Sequence, residues 1–191
     1  MIQSKTEEEI ETMKQGGRIL AEILRKLADE VRPGISTWSL EETARKLIND
    51  AGIEPAFLGY NGYPAFLCFS INEEIVHCLP SERKIRPGDL VSLDFGIRHK
   101  GLNVDSATTV LAEPESNDPD LGLKKKLIKT TKECLEKGIE AVKVGSFIGD
   151  ISFAIQKHAE KNGFSVIRDL VGHGIGRDLH EEPEVPNFGE K

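Results

Sequence analysis

The sequence carries a weak echo of itself, and that echo restricts the available folds more than any other feature. Shifting the chain by 111 residues lays Leu24, Val31, Gly34, Lys46 and Gly52 on Leu135, Val142, Gly145, Lys157 and Gly163. Both halves read as helix, short loop, helix, strand. Leu20, Ile23, Leu24, Leu27 and Val31 recur at helical spacing, which predicts an amphipathic helix from about Glu7 to Glu30, stopping before Pro33-Gly34. A second helix is marked by Leu40, Ala44, Leu47, Ile48 and Ala51, with Ser39 and Glu42 at capping-box spacing and Gly52 as the stop. Two more are expected at about Leu121 to Val142 and Ile148 to Asn162, followed by a strand over Phe164 to Arg168. A duplication of this kind predicts one α+β domain, residues 1–191, built of two related halves whose active site draws ligands from both.

Between the helical pairs the pattern changes to period two. Phe66 to Ile71 and Ile75 to Leu79 read as a hairpin around Asn72-Glu73, and Leu90–Phe95 with Leu102–Leu111 read as another around His99-Lys100-Gly101. Asp94 and Asp105 sit inside the apolar arms of the second hairpin. A loop centred between His99 and Lys100 sets them opposite one another, and a loop shifted by one keeps them close. Facing carboxylates repel, and desolvation worsens the repulsion, so such a pair calls for a cation or a shared proton. The plainer alternative is two aspartates pointing to solvent.

The segment Val171 to Pro183 places His173 between glycines and His180 seven residues later, in what reads as a glycine-rich loop. Glycines let the backbone bring an imidazole close to a ligand. His77 falls near the end of the predicted strand Ile75–Leu79, where a histidine satisfied by backbone groups is the commoner outcome. His99 and His158 fall on a turn and a polar helix face and receive no function.

Composition removes several classes. A net charge of −7 gives no basic footprint for a nucleic-acid backbone. No run of 18 apolar residues exists, and the first residues lack the core of a signal peptide. Cys68, Cys78 and Cys134 form no C-x-x-C pair, which suits neither a disulfide framework nor a zinc knuckle and fits a reducing cytoplasm.

Asp94 with Asp105 eleven residues on, Gly172-His-Gly-Ile-Gly-Arg177 with the run from His180 to Val185, Gly59-Tyr-Asn-Gly-Tyr-Pro64, and Ser70-Ile-Asn-Glu73 ahead of His77 together resemble type I methionine aminopeptidases. The resemblance covers nearly the whole chain. It implies a pita-bread fold of two pseudo-symmetric αβ halves and a centre of two divalent ions, whether cobalt, manganese, iron, zinc or nickel. Asp94, Asp105 and His173 match metal ligands. His77 and His180 match catalytic groups that hydrogen-bond the substrate, and Tyr60, Tyr63 and Cys68 match the wall of a methionine pocket. The implied substrates are peptides and nascent chains with N-terminal methionine, met in the cytoplasm with transient ribosome association by a monomer without membrane or specific nucleic-acid partners. Asn61 and Cys78 depart from the family pattern, which commonly has histidine and glycine there. The family also has two later glutamate ligands, one the general base, unmatched up to Lys191. A fold lacking its last strands, incomplete metal binding and little activity are therefore expected of these 191 residues. An Xaa-Pro aminopeptidase or prolidase is the neighbouring alternative, against which the Gly59–Pro64 segment speaks. A non-catalytic pita-bread binding protein is the rival from another class.

Overall fold

Helix α1 (Glu7–Glu30) begins at a complete capping box: Glu9 N donates to Thr6 Oγ1 at 3.2 Å and Thr6 N donates to the Glu9 carboxylate at 2.9 Å. Its bounds are those the periodicity predicts. Helix α2 (Thr37–Ala51) starts earlier than expected, because Ser36 is the N-cap and its hydroxyl accepts from Ser39 N at 3.1 Å. Ser39 thus supplies a capped amide, not the cap. Gly52 ends α2 in the left-handed region at φ 63°.

The structure, a computed structural model, describes residues 2–190. Residues 4–119 with 175–179 form one compact unit, and most of the rest, 120–174 and 180–190, forms a second. In the first unit, β3 (Leu90–His99) is the central strand of an antiparallel sheet. Strand β4 (Leu102–Leu111) runs along one edge, while β2 (Leu67–Ile71) and the short β1 (Glu54–Pro55) follow each other along the other. Odd-numbered residues of β3 (Val91, Leu93, Phe95, Ile97) and alternate residues of β2 join Leu20, Leu24, Leu27, Leu40 and Ile48 in a single core under α1 and α2. Even-numbered positions of β3 therefore face the opposite side.

One expectation fails in this unit and one open choice is resolved. The hairpin of residues 66–71 with 75–79 does not form: β2 pairs with β3 along one edge, and along the other a single bond, Phe69 N to Cys78 O at 3.0 Å, reaches the irregular residues 75–79. Asn72, at φ 58°, donates to Asp89 and accepts from Leu90 N, both at 2.9 Å, and so directs the chain from β2 toward the start of β3. Residues 75–79 are irregular, with Ile75 and Leu79 more than half exposed. The β3–β4 turn is Lys100-Gly101, both at positive φ, so the hairpin axis lies one residue beyond the centred reading.

The second unit holds α3 (Leu121–Ala141), α4 (Ile148–Lys161) and a two-stranded ribbon of β5 (Val171–Gly174) and β6 (Glu181–Pro186). Gly138 lets α3 and α4 approach closely, since a Cβ there would lie 3.2 Å from Ile155 Cδ1. No strand forms over 164–168; strands appear instead across the stretch read as a glycine-rich loop. The exposed acids Glu182 and Glu184 alternate with more buried neighbours along β6, and its two prolines suit a ribbon edge.

The internal echo extends to backbone conformation. Ser36 and Phe147 are the N-caps of α2 and α4 at the same 111-residue shift, Gly34 and Gly145 have φ 90° and 88°, and Gly52 and Gly163 have φ 63° and 82°.

Candidate metal and substrate site

The hairpin register puts Asp105 opposite Gly96 and Asp94 opposite Ala107, so the two aspartates are diagonal rather than directly opposed. Directly paired residues share a face, as do residues two apart on a strand, so Asp94 and Asp105 both lie on the face away from the helices. Their carboxyls meet there. Asp105 hydrogen-bonds Asp94, and burial, reinforced by the Asp94 charge and that bond, pushes the Asp105 carboxyl up to about 7. Below about pH 7 such a pair keeps one proton between its carboxyls, one of the two compensations its placement demands.

Cys68 of β2 is directly paired with Asp94 and lies on the same face. Burial pushes its thiol up to about 11, so it is a neutral, apolar neighbour rather than a nucleophile. Tyr63 closes over it. The phenol donates to Leu67 O at 2.9 Å and Cys78 O at 3.2 Å, and burial followed by a bond to Cys68 holds it well above the ordinary tyrosine range. Phe57, which no local pattern singles out, lies over Gly96, where a Cβ would come within 2.6 Å of Phe57 Cε1. Its ring meets Tyr63 edge-on at 6.5 Å. One sheet face thus carries an acid pair beside a wall of Phe57, Tyr63 and Cys68.

Tyr60 opens a short 3-10 turn (Tyr60–Gly62), 39% exposed, within a loop where Gly59, Asn61 and Gly62 all have positive φ. His77 is exposed and at φ 62°, uncommon for a non-glycine residue. The next residue is anchored beside the wall, because Cys78 O accepts from Phe69 N at 3.0 Å as well as from Tyr63.

In the second unit, His173 lies on β5 rather than in a loop, and His180 immediately precedes β6. Their rings are 4.0 Å apart. His173 Nδ1 is 2.9 Å from the carbonyl of Gly174, so it donates there and the lone pair resides on Nε2, the tautomer of an Nε2 ligand. The intervening segment 175–179 belongs to the first unit, where Asn103, two residues before Asp105, holds it. Asn103 Nδ2 donates to the carbonyls of Gly176 and Arg177, each at 3.0 Å, and Asn103 N donates to Gly176 O at 2.7 Å. Arg177 further pairs with Glu9 of α1. Among the described residues, no three His, Cys, Asp or Glu side chains gather as a metal site, so the aspartate pair is the part of the expected ligand set that the structure brings together.

A half-buried, hydrogen-bonded acid pair on an antiparallel sheet, in an α+β chain of two echoing halves, defines a candidate metallohydrolase. The sequence matches metallopeptidase family M24 over residues 11–191, and the chain belongs to that family. It is 45% identical over 189 residues to the methionine aminopeptidase of Clostridium perfringens, covering 99% of this chain and 74% of that one. Its structure is similar to the methionine aminopeptidase of Thermotoga maritima, with a TM-score of 0.92 and 42% identity, covering 99% of this chain and 74% of that one. Prolidase from Pyrococcus furiosus shares the fold with a TM-score of 0.81 at 22% identity, over 98% of this chain and 53% of its own. The pita-bread fold is confirmed, and family membership implies divalent metal cofactors. Among the described residues, no helix is long and apolar enough to cross a membrane.

Proposed function

We propose that this chain is a metal-dependent methionine aminopeptidase that removes the initiator methionine from peptides and nascent chains in the cytoplasm. The observation that carries the proposal is the acid pair Asp94–Asp105 on the same sheet face as Cys68, beside Tyr63 and Phe57. Two half-buried carboxyls hydrogen-bonded to each other mark a place where a divalent cation would restore charge balance, and carboxylate donors suit such an ion. Asp94 and Asp105 are the proposed metal ligands, with His173 added on the strength of its tautomer and motif. Two divalent ions at such a site supply activated water and polarise the scissile carbonyl.

The protein's own groups do the rest. Tyr63, Cys68 and Phe57 offer aromatic and sulfur surface to a flexible thioether, and Tyr60 stands at the exposed end of the same loop. His77 and His180 are proposed as the groups that donate hydrogen bonds to the substrate carbonyl. The positive φ of His77 is the kind of local strain that persists where a side chain is held for use.

The test is manganese binding by calorimetry, together with release of methionine from Met-Ala-Ser and of alanine from Ala-Pro peptides. Manganese uptake, and release of methionine from Met-Ala-Ser faster than release of alanine from Ala-Pro even where both are slow, support the proposal. Preference for Ala-Pro makes the chain an Xaa-Pro peptidase instead, and absence of metal binding overturns the site. Substituting Tyr63→Lys is expected to raise KM for Met-Ala-Ser about tenfold or more, because a charge replaces apolar wall, while manganese stoichiometry is unchanged. Metal loss with unchanged peptide affinity would show that wall and ligand shell had been interchanged.

A further inference from the structure

The groove between α3 and α4 carries a charge that the same positions of the first unit lack. It is an open cleft of about 680 Å³, walled by Lys137 near the end of α3, Lys143 in the connecting loop, and Lys157 and Lys161 one turn apart on α4. Residues 189 and 190 pack against Gly149 and Ser152, on the opposite side of α4. Among the described residues that line the groove Asp150 is the one acid, and its carboxylate is engaged in accepting from Phe147 N at 2.8 Å. Lys157 lies over the Phe153 ring, 5.7 Å from its centroid, and both residues line the groove. Lys137 pairs with Glu140 at 2.7 Å, an exposed i,i+3 contact of the kind that contributes little and opens readily. The internal echo shows that this excess of cations is particular to the second unit. At the 111-residue shift Lys26, Arg32 and Lys46 stand where Lys137, Lys143 and Lys157 stand, but Glu30, Glu42 and Asp50 are interleaved with them. The second unit has Ala141, Phe153 and Lys161 at those three positions. In a chain of net charge −7, the acids are thus missing from this groove while the cations remain. A solvated helix face keeps both signs, as the first unit does; a concave wall of one sign gathers counter-ions.

We infer that the α3–α4 groove binds a small, multiply charged phosphate compound, of the size of pyrophosphate or a nucleoside diphosphate, held by Lys137, Lys143, Lys157 and Lys161. The volume suits a ligand of that size. All four cations are lysines, point charges that gather around phosphate oxygens, whereas planar bidentate recognition of a carboxylate favours arginine. The acids nearby set the length of the occupant. Glu133, Glu136, Glu140 and Glu160 stand on the same two helices outside the lining of the groove. Repulsion from them opposes a nucleic-acid strand that runs on past the lysines, and leaves room for a compact anion between them. The inference rests on the helix pair and the repeat, not on the metal assignment.

The experiment titrates the 191-residue chain with inorganic pyrophosphate in the presence of EDTA, by calorimetry, at low ionic strength and again with added salt. One pyrophosphate per chain is expected, bound more weakly as salt is added. Changing Lys143→Gln and Lys157→Gln together should weaken binding about tenfold or more, since each lysine supplies a charge-assisted contact. Both side chains are exposed, so the fold is kept, and an unchanged urea midpoint checks this. Changing Lys26→Gln and Lys46→Gln together, at the counterpart positions, alters the net charge equally and should leave affinity as it was. Three results overturn the inference: no pyrophosphate binding, equal loss of binding in the two double variants, or tighter binding of single-stranded oligouridylate than of pyrophosphate through the same lysines, which would make a strand the occupant. Because no metal or peptide is present, failure here is separable from failure of the proposed activity.

Discussion

Replacing Asp105 by Asn is expected to stabilise the metal-free chain above pH 7 while weakening its hold on manganese by about 10²-fold or more, since even groups that only support metal ligands are worth 10- to 100-fold. The two effects have one cause. Burial, with the nearby Asp94 charge, raises the Asp105 carboxyl to about 7 from its ordinary 3.8. Between roughly pH 4 and 7 the folded chain keeps a proton that the unfolded chain has released, so stability of the metal-free protein falls as pH rises through this window. At pH 8 the pair carries two charges in a desolvated place. The Asp105→Asn change removes one of them, and the new amide retains the shape and can still donate to Asp94, but it cannot neutralise a cation. Urea unfolding at pH 5 and pH 8 in EDTA, with manganese calorimetry at pH 8, reads all three quantities. Wild-type stability unchanged between the two pH values would mean that the carboxyls are not desolvated together. Wild-type manganese affinity in the variant would remove Asp105 from the ligand set.

The parts of this site that were legible in the sequence are those governed by local pattern. Asp94 and Asp105 stand out because a charged residue inside an apolar alternation is costly unless compensated, and hairpin arithmetic places the two within one step of each other. The remaining step depended on the Lys100-Gly101 turn, where two consecutive positive φ values shift the axis by a residue. Register therefore became visible only in the fold. The strand expected at 75–79 failed for a different reason: its apolar residues satisfy the pattern, but His77 at φ 62° breaks the extended run, leaving one backbone bond, Phe69 N to Cys78 O, along that edge of β2. Near His173 the error ran the other way, because glycines and prolines obscure a ribbon held by backbone pairing and by side-chain alternation in β6. Phe57 had no local signature at all; its role follows from Gly96, 39 residues further along the chain, offering the space its ring occupies.

Glu41 was missed at the outset although a signal was present, and its removal is expected to be the most damaging single change to the fold. Thr37, Glu41, Ala44 and Ile48 form the inward row of α2, so Glu41 is an acid on an apolar stripe. It is fully buried. Its carboxylate accepts from Phe66 N at 2.9 Å and Leu67 N at 3.2 Å, the amides at the start of β2, and is held by Arg45 Nη2 at 2.8 Å. Arg45 in turn lies over the Phe66 ring at 4.4 Å. Glu41→Ala leaves two buried amides without an acceptor and a guanidinium without its counter-charge, for an expected loss of about 3–5 kcal/mol. Glu41→Gln should cost less, because one oxygen acceptor remains. Arg45→Met should also cost less than Glu41→Ala, because both amides keep their acceptor and the loss is that of the counter-charge alone. The same hierarchy should reach function through Cys68, which follows Leu67 directly on β2. Loosening the strand at its first residues disturbs the pocket wall before it disturbs Asp94 on β3. In the folded fraction of Glu41→Gln, affinity for Met-Ala-Ser should therefore fall while manganese affinity is preserved. Urea unfolding of the three variants checks the order of stabilities, and calorimetry with metal and then peptide checks the separation. Equal stabilities for Glu41→Ala and Arg45→Met would show that the ion pair, not the anchoring of β2, is what Glu41 provides.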